Sequence, residues 1–391
     1  MTPSDNVNFI RDRFTWQSYI MLAYFAYLQA TLGPLMPFLK KELDLNYTVA
    51  GFHFSAFALG MIMAGSMADR IAARWGRWRV FWVGGGGMAV SAVAFALGSQ
   101  AVVTITCVFM MGFWGSFLLV MIQSSLADHH GDKRATALIE SNVTASISAG
   151  LAPLLIGTFR RHAIGWRAAL VLGAFVWGIM VIIFHRETIP DGRAVTANDA
   201  EHGNGLPRIF WSYWLVLFLV VSIEWSIGFW GTDFLEKNTA LNSTNAATIM
   251  SIYFIAIVAG RMLGSRLTRL ISIETLLLLS IGLTIVGFCG FWLASSLLLT
   301  LAGLFVSGLG IANLFPLTLS IAIGVVGSHQ SDTASGRISL GSGLAILIVP
   351  QLLGNLADKT GIHAAYGVVA LLLLVAFVVT AWTNRMNRRE A

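Results

Sequence analysis

The sequence predicts an all-α integral membrane protein with twelve transmembrane helices in two six-helix bundles. Three observations predict it: the composition, the recurrence of long apolar runs, and a repeat at half the chain length. Of the 391 residues, 56% are hydrophobic and only 11% are charged, whereas a soluble domain usually carries about 25% charged residues. So few charges cannot cover a surface that faces water, and lipid must therefore contact most of it.

The apolar runs are each long enough to cross a bilayer, for which a helix needs about 20 residues. We expect spans near 15–39, 48–68, 79–98, 101–125, 136–158, 166–184, 210–235, 245–264, 273–294, 297–325, 334–356 and 363–383. The first run ends in GPLMPFLKKELDL, which has no small-residue cleavage site, so it is interpreted as a retained span rather than a signal peptide.

The distribution of Lys and Arg over the loops predicts the orientation. If the N-terminus lies inside, 18 of the 25 basic residues fall on that side and 7 on the other. The positive-inside rule then places both termini in the cytoplasm, with the protein in the cell (inner) membrane. Because the cations are spread over many loops instead of one soluble face, nucleic-acid binding is not expected.

The two halves of the chain repeat one another. Matched pairs recur at spacings of 195 to 197 residues: Gln29 and Glu224, Gly33 and Gly228, Gly112 and Gly308, and Pro153 and Pro350. Six spans return the chain to its starting side, so both halves have the same orientation and an axis along the membrane normal relates them. We expect bundles at 1–184 and 209–391, joined by a polar cytoplasmic linker at 185–208.

The loop after the second span carries a motif, GSMADRIAARWGRWRV, that resembles the G-x-x-x-D-R…G-R-[RK] signature of the major facilitator superfamily. Gly65, Asp69, Arg70 and Arg77 match it, and Trp78 replaces the second basic residue of the signature. The resemblance covers the whole chain. It implies secondary active transport by alternating access, in which a cavity between the halves opens to each side in turn, and it implies a gating role for the four matching residues.

The resemblance also implies an inner gate between Asp69 and the cytoplasmic end of span eleven. Arg337 lies near that end, and its repeat mate in span five is Glu140, so opposite charges occupy equivalent places. We expect a cluster of Asp69, Arg337 and Glu140 that forms and breaks during transport, because unpaired charges in a membrane are costly. The alternative is that Arg337 and Glu140 simply reach cytoplasmic water.

The second half is similar to the fucose:proton symporter group. It shares an acidic residue in span seven (SIEWSIGFWGTDFLEKN), a Gly-Arg pair ending span eight (VAGRMLGSRL), and small residues followed by Phe-Pro in span ten (GLGIANLFPLTLSIA). The first half shows less of this likeness, and span two has no mid-membrane acid. The resemblance implies proton symport and a sugar substrate.

Glu224 is the one acidic residue predicted deep inside a span, and we expect no Arg or Lys deep enough to pair with it. A carboxyl group without a counter-charge takes up a proton in a dry site and releases it in a wet one. Glu224 is therefore predicted to couple transport to protons. It could instead be a neutral hydrogen-bond donor that fixes helix packing, or a substrate ligand without coupling.

Spans one, four, seven and ten are expected to line the cavity, with a contribution from span five. Their polar and aromatic residues are the candidates for substrate binding: Tyr27, Gln29, Trp114, Gln123, Asn142, Trp225, Trp230, Asn313 and Phe315. Amides and aromatic faces suit a neutral polyol or sugar, although Trp and Tyr also anchor spans at the membrane interface. The lack of a deep cation in spans one, four, seven and ten argues against strongly anionic substrates.

These patterns favour a proton-coupled symporter of a small neutral or polar solute such as a sugar. The alternative is an exporter of hydrophobic compounds by proton antiport through Glu224. An enzyme is not expected, since no nucleophile–base pair or metal-ligand spacing occurs in the spans. The expected partners are the solute, protons and lipid, with no metal, no cofactor and a monomeric chain.

Overall fold

The computed structural model describes residues 9–187, 206–326 and 330–390, and the structure in these ranges is helical. The helices are α1 Arg13–Leu43, α2 Tyr47–Trp75, α3 Arg77–Leu97, α4 Ala101–His130, α5 Arg134–Arg161, α6 Ala168–Phe184, α7 Arg208–Asn238, α8 Ser243–Leu267, α9 Ile273–Leu293, α10 Leu297–Gly324, α11 Ser331–Thr360 and α12 Ile362–Met386. Short breaks interrupt α8 at Met250, α10 at residues 312–313 and α12 at Tyr366.

The described helices follow the twelve predicted spans in order, and the all-α membrane fold is confirmed. Eleven of them are long and apolar enough to cross a membrane. The twelfth, α6, has 17 residues and is therefore about 26 Å long, slightly short of the hydrocarbon thickness. Most of the predicted linker, residues 188–205, lies outside the described ranges.

Local sequence signals mark the helix ends. Asp12, Asn46 and Asn242 cap α1, α2 and α8 by accepting a hydrogen bond from a backbone N–H in the first turn. Gly76 alone separates α2 from α3 and has a φ of 81°, and Gly361 separates α11 from α12 with a φ of 82°. These two positions require glycine, because other side chains rarely adopt a positive φ.

The sequence repeat recurs as equivalent contacts inside each half. In the first half, Gly112 of α4 packs against the carbonyl oxygen of Phe57 in α2. In the second half, Gly308 of α10 packs against the carbonyl oxygen of Tyr253 in α8. Both members of the second contact lie 196 residues after those of the first. The same backbone approach, which only a missing Cβ permits, therefore occurs twice.

Contacts between the halves obey the same symmetry. A Cβ atom on Gly157 of α5 would lie 3.1 Å from the carbonyl oxygen of Thr244 in α8, and one on Gly354 of α11 would lie 2.8 Å from that of Tyr47 in α2. The two contacts are offset by 197 residues. Helices α5 and α8 thus meet as α11 and α2 do, and a pseudo-two-fold axis relates the halves. We call the side with the start of α1 and the end of α12 the inner side.

Candidate functional site

The outer part of the junction between the two halves is closed. The Asp358 carboxylate of α11 accepts hydrogen bonds from the N–H groups of Tyr47 and Thr48 in α2, at 2.7 and 2.8 Å. Further inward, the Ser55 hydroxyl donates to the carbonyl oxygen of Leu347 at 2.7 Å. The helices α2 and α11 therefore run antiparallel in contact through the outer half of the protein.

Two ion pairs cross the junction at the same outer end. The Lys40 Nζ of α1 lies 3.0 Å from Asp233 Oδ1 of α7, and the two side chains are only 10% and 2% exposed. The same Nζ lies 3.0 Å from the ring centroid of Tyr47. Lys41 pairs with Glu236 beside them. The buried pair of Lys40 and Asp233 joins the halves at a place that excludes water. Separating it would leave two buried charges without a partner, which is energetically unfavourable.

Aromatic rings fill the junction on the inner side of these ion pairs. Phe54 of α2 stacks on Phe229 of α7 with centroids 4.0 Å apart and planes 4° apart. Trp230 is fully buried, and its Nε1 donates to the carbonyl oxygen of Pro350 at 2.9 Å. The prediction that Trp230 lines an open cavity is corrected in this conformation, because its ring and its N–H are both used in the outer seal.

The inner part of the junction is open. The α2–α11 packing continues to Ile62 and Gly343. Asp69 and Arg337 lie nearer the inner side on the same two helices, and both are exposed. Within the described ranges neither side chain has an ion pair, and an added Cβ on Gly336 of α11 would meet no atom within 4 Å, which indicates that the two helices are apart at this level.

The predicted cluster of Asp69, Arg337 and Glu140 is therefore not formed. Glu140 instead pairs with Arg11, which precedes α1, at 2.6 Å, and it accepts a hydrogen bond from the Tyr19 hydroxyl at 3.1 Å. The reason is topological: α5 packs along α1 inside the first half, whereas Asp69 and Arg337 belong to a different pair of helices. Glu140 thus has a partner of its own.

The remaining motif residues also act within the first half. Arg77 forms an ion pair with Asp128 of α4 at 2.6 Å. Arg70 is exposed, and Gly65 is exposed with no backbone of another helix against it. The motif thus ties the inner ends of α3 and α4 together, and the nearest atom to an added Cβ on Gly65 is the Ser116 hydroxyl oxygen of α4, at 3.6 Å.

Gln29 and Glu224 lie where the outer seal ends and the inner opening begins. The backbones of α1 and α7 touch at Gly33 and Gly228, where an added Cβ on Gly33 would collide with the Gly228 carbonyl oxygen. Gln29 and Glu224 each precede these glycines by four residues, which is one helical turn toward the inner side. The Gln29 amide nitrogen lies 3.9 Å from the sulfur of Met61.

Glu224 keeps some exposed surface, and its carboxyl group lies deep among protein atoms. Helix α7 packs against α1, α8, α10, α11 and α12, so the exposed part faces the space between helices rather than lipid. In the described part of the chain, no donor lies within hydrogen-bond distance of the Glu224 carboxyl group; only its backbone oxygen accepts a bond, from the Tyr253 hydroxyl at 3.2 Å. The carboxyl group is therefore free to bind a proton or a ligand.

A cation reaches the same region, contrary to the sequence-based expectation. Arg261 was counted among the basic residues of the cytoplasmic side, at the end of span eight, but α8 continues to Leu267 and carries Arg261 inside the helix. Its guanidinium donates to the Ser146 hydroxyl of α5, across the junction, and lies within electrostatic range of Glu224. Ser146 is twelve residues from the start of α5, about 18 Å along the helix. The Gly-Arg pair at the end of span eight was the available signal.

Two further predicted cavity residues are turned away from the junction. The Tyr27 hydroxyl donates to the carbonyl oxygen of Ala169 in α6 at 2.9 Å, and the residue is buried. The Trp114 indole covers Gly87 of α3. Helices α3 and α6 pack within the first half. Both predictions are corrected, because spacing along a span cannot tell which face of its helix meets the partner bundle.

The other predicted residues keep exposed surface: Gln123, Asn142, Trp225, Asn313 and Phe315. The Trp225 ring lies 4.9 Å from that of Phe229, beside the aromatic seal. The Asn313 amide occupies the break in α10 and donates to the carbonyl oxygen of Gly260 at 2.9 Å. The Asn142 amide nitrogen donates to its own helix, which leaves its oxygen available. These residues remain candidates for solute contact.

The family follows from comparison with known sequences. The sequence profile of the Major Facilitator Superfamily matches residues 18–297 and 213–390. The chain belongs to this superfamily. It is thus a secondary transporter in a membrane, and not an enzyme. The fold agrees, because the crystal structure of the nucleoside transporter NupG superimposes with a TM-score of 0.72 at 15% identity, over 96% of this chain and 99% of that one.

Several known proteins are similar to this chain over most of their length. The uncharacterized MFS-type transporter YtbD of Bacillus subtilis is 25% identical, with 91% of each chain covered. The probable sulfoacetate transporter SauU of Cupriavidus necator is 25% identical, over 90% of this chain and 89% of the relative. A glucose/galactose transporter of Brucella abortus is 26% identical, over 85% and 84%.

Proposed function

We propose that this transporter moves a small polar solute, such as a sugar, together with protons, and that Glu224 is the proton-binding group. The observation that carries the proposal is the position of the Glu224 carboxyl group, partly exposed and without a hydrogen-bond donor in the described ranges, at the inner end of the outer seal. Ionisable residues inside membranes generally mark ion or substrate pathways. The similarity to a glucose/galactose transporter supports a sugar as the first solute to test.

Alternating access follows from the two ends of the junction. With the positive-inside orientation, the inner side faces the cytoplasm, and the conformation described is open to it. If the halves rock about the contact between Gly33 and Gly228, the outer seal opens and the inner ends close. Glu224 then faces the other solution, so a proton taken up on one side is released on the other. One chain contains both bundles, and a monomer suffices.

The inner gate is proposed to form where the α2–α11 packing is now interrupted. Counting from the contact between Tyr47 and Asp358, Asp69 lies 22 residues further along α2 and Arg337 lies 21 residues back along α11. Continued antiparallel packing therefore brings these opposite charges together. Gly65, with no backbone against it, leaves room for α11 to approach.

The test is uptake of labelled glucose and galactose into proteoliposomes with an imposed proton gradient. For Glu224→Gln we expect loss of uphill accumulation, while exchange of the sugar across the membrane is retained. Glu274→Gln, at the first turn of α9 and away from the junction, is the matched control. Uphill uptake by Glu224→Gln at the full rate would refute the coupling role, and proton-driven expulsion of a hydrophobic dye instead of sugar uptake would indicate the antiport alternative.

A further inference from the structure

Arg261 places a positive charge on the wall between the two halves. One guanidinium nitrogen donates to the Ser146 hydroxyl of α5. In the described ranges no carboxylate lies within 4 Å of Arg261, and the side chain is partly exposed. A neutral side chain could make the same bond to Ser146. A cation at this depth, with donors to spare, therefore indicates a function beyond helix packing.

The chemistry of a guanidinium selects its ligand. Arginine presents five N–H donors in a planar fork that matches a carboxylate or sulfonate in a two-point contact. One donor is used by Ser146, and Asn142 lies one turn further inward on α5. A solute at this wall can thus place an anionic group on Arg261 and a hydroxyl on the Asn142 amide oxygen.

Charge balance connects this residue with Glu224. When Glu224 is ionised, Glu224 and Arg261 together are neutral. When Glu224 takes up a proton, the pair has a net positive charge, and one bound monoanion restores neutrality. A closed, dry intermediate tolerates a neutral site far better than a charged one. A neutral sugar carried with a proton leaves the site positively charged, whereas an organic monoanion does not.

Other charges do not disturb this balance. At the level of Glu224, α8 contributes Tyr253 and Arg261. The facing segments of α1, α11 and α12, residues 20–36, 340–355 and 367–383, contain no Asp, Glu, Lys, Arg or His, and neither does α10. Burial of its carboxyl group and, among the charges in these segments, Arg261 with what Arg261 binds therefore act on the proton equilibrium at Glu224.

We propose that Arg261 binds the anionic group of the transported solute, and that the solute class is the small hydroxylated organic monoanion, a carboxylate or sulfonate, rather than the neutral sugar. This inference rests on the proposed function and sharpens it: protonation of Glu224 removes the negative charge that balances Arg261, and Arg261 then binds the anion. Proton and anion occupy the site together, and both leave when Glu224 ionises again.

The experiment measures equilibrium binding to the purified full-length protein by thermal shift, with no proton gradient. The probes are matched pairs of a neutral solute and its anion: glucose and gluconate, glycerol and glycerate, and ethylene glycol and 2-hydroxyethanesulfonate. At least one anion is expected to bind ten or more times more tightly than its neutral partner. Its affinity rises as the pH falls in the wild type, and is independent of pH in Glu224→Gln.

Variants of Arg261 distinguish a role in anion recognition from a role in helix packing. Arg261→Gln is expected to lose at least tenfold in affinity for the anion and Arg261→Lys to lose less, whereas Arg269→Gln, just beyond α8 and exposed, binds as the wild type does. The proposal is overturned if no anion binds, if the neutral members bind equally well, or if Arg261→Gln keeps the preference. Should Arg261→Gln fail to fold, the wild-type preference and its pH dependence decide. If only the proposed proton coupling is wrong, the uphill accumulation of the solute is affected, whereas the binding of the anion measured here is not.

Discussion

The outer and inner ends of the junction between the two halves differ in how their charged residues pair. At the outer end, two ion pairs cross from one half to the other, as Lys40 does with Asp233, although Arg167 and Glu42 pair within the first half. At the inner end, Glu140 pairs with Arg11 and Arg77 pairs with Asp128, each within the first half. Among the described residues, ion pairs between the two halves thus occur at the outer end, which is the closed one.

This difference shows what inner closure requires. The α5–α8 packing follows the same register as α2–α11: from the contact of Gly157 with Thr248, Glu140 lies 17 residues back along α5 and Arg266 lies 18 residues on along α8. Closure is therefore expected to exchange Arg11 for Arg266 at Glu140, with Asp69 meeting Arg337 on the opposite flank. The two flanks then carry ion pairs of reversed polarity.

The largest expected effect comes from removing one partner of the outer ion pair. Asp233→Asn leaves the buried Lys40 without a counter-charge, which costs about 3–5 kcal/mol and should open the outer end. Labelling of a Ser55→Cys reporter by an impermeant thiol reagent from the outside should increase strongly. The double variant Lys40→Met with Asp233→Leu should restore much of the seal. Unchanged labelling in Asp233→Asn would show that this pair does not hold the outer end closed.

The helix crossing provides a smaller effect with an internal control. Gly33→Ala places a methyl group against the Gly228 carbonyl oxygen, and overpacking of this kind costs about 1–3 kcal/mol. Gly228→Ala changes the residue on the other side of the crossing, but its methyl group meets open space. The thermal unfolding temperature of the purified protein should fall for the first variant only. Equal behaviour of the two variants would contradict the described crossing.

Neutralising the inner gate should shift the conformations by a modest amount. Asp69→Asn removes the partner that Arg337 is expected to take when the inner end closes, and exposed ion pairs contribute about 0.2–1 kcal/mol. We expect a few-fold increase in the inner-open population, measured by the accessibility of a cysteine at Leu340. Disulfide formation between cysteines at 140 and 266 checks the second flank, and it should occur only when the inner end is closed.

The smallest effect should have the opposite sign. Arg11→Gln removes the partner that holds Glu140 in the open arrangement, and this pair is also partly exposed, at 45% and 30%. Losing this ion pair costs less than about 1 kcal/mol and frees Glu140 to pair with Arg266, which should favour closure of the inner end. Accessibility at Leu340 should decrease slightly. An increase, as in Asp69→Asn, would mean that Arg11 takes no part in partner exchange.

Most of the architecture and part of the site could be predicted from the chain alone. Hydropathy located the spans, because crossing the hydrocarbon demands an apolar run of a given length. The position of Glu224 followed from counting along span seven. The burial of Trp230 and Tyr27 could not be predicted in this way. Lipid and the protein interior are equally apolar, so the sequence of an apolar helix does not show which of its faces packs against protein. Arg261 was counted with the cytoplasmic charges at the end of span eight, because helix ends are the least certain feature of a sequence.

The sequence by itself determined the number of spans, the repeat that relates the halves, and the one acid deep in span seven, because these depend on composition and on spacing along the chain. Only the tertiary structure decided which partner each charge takes: Arg11 for Glu140, Asp233 for Lys40, and Ser146 of the opposite half for Arg261. The physical reason is that ion-pair choice depends on which end of the junction is closed. Small differences in packing free energy between the two bundles govern that closure, and these contacts lie far apart in the chain.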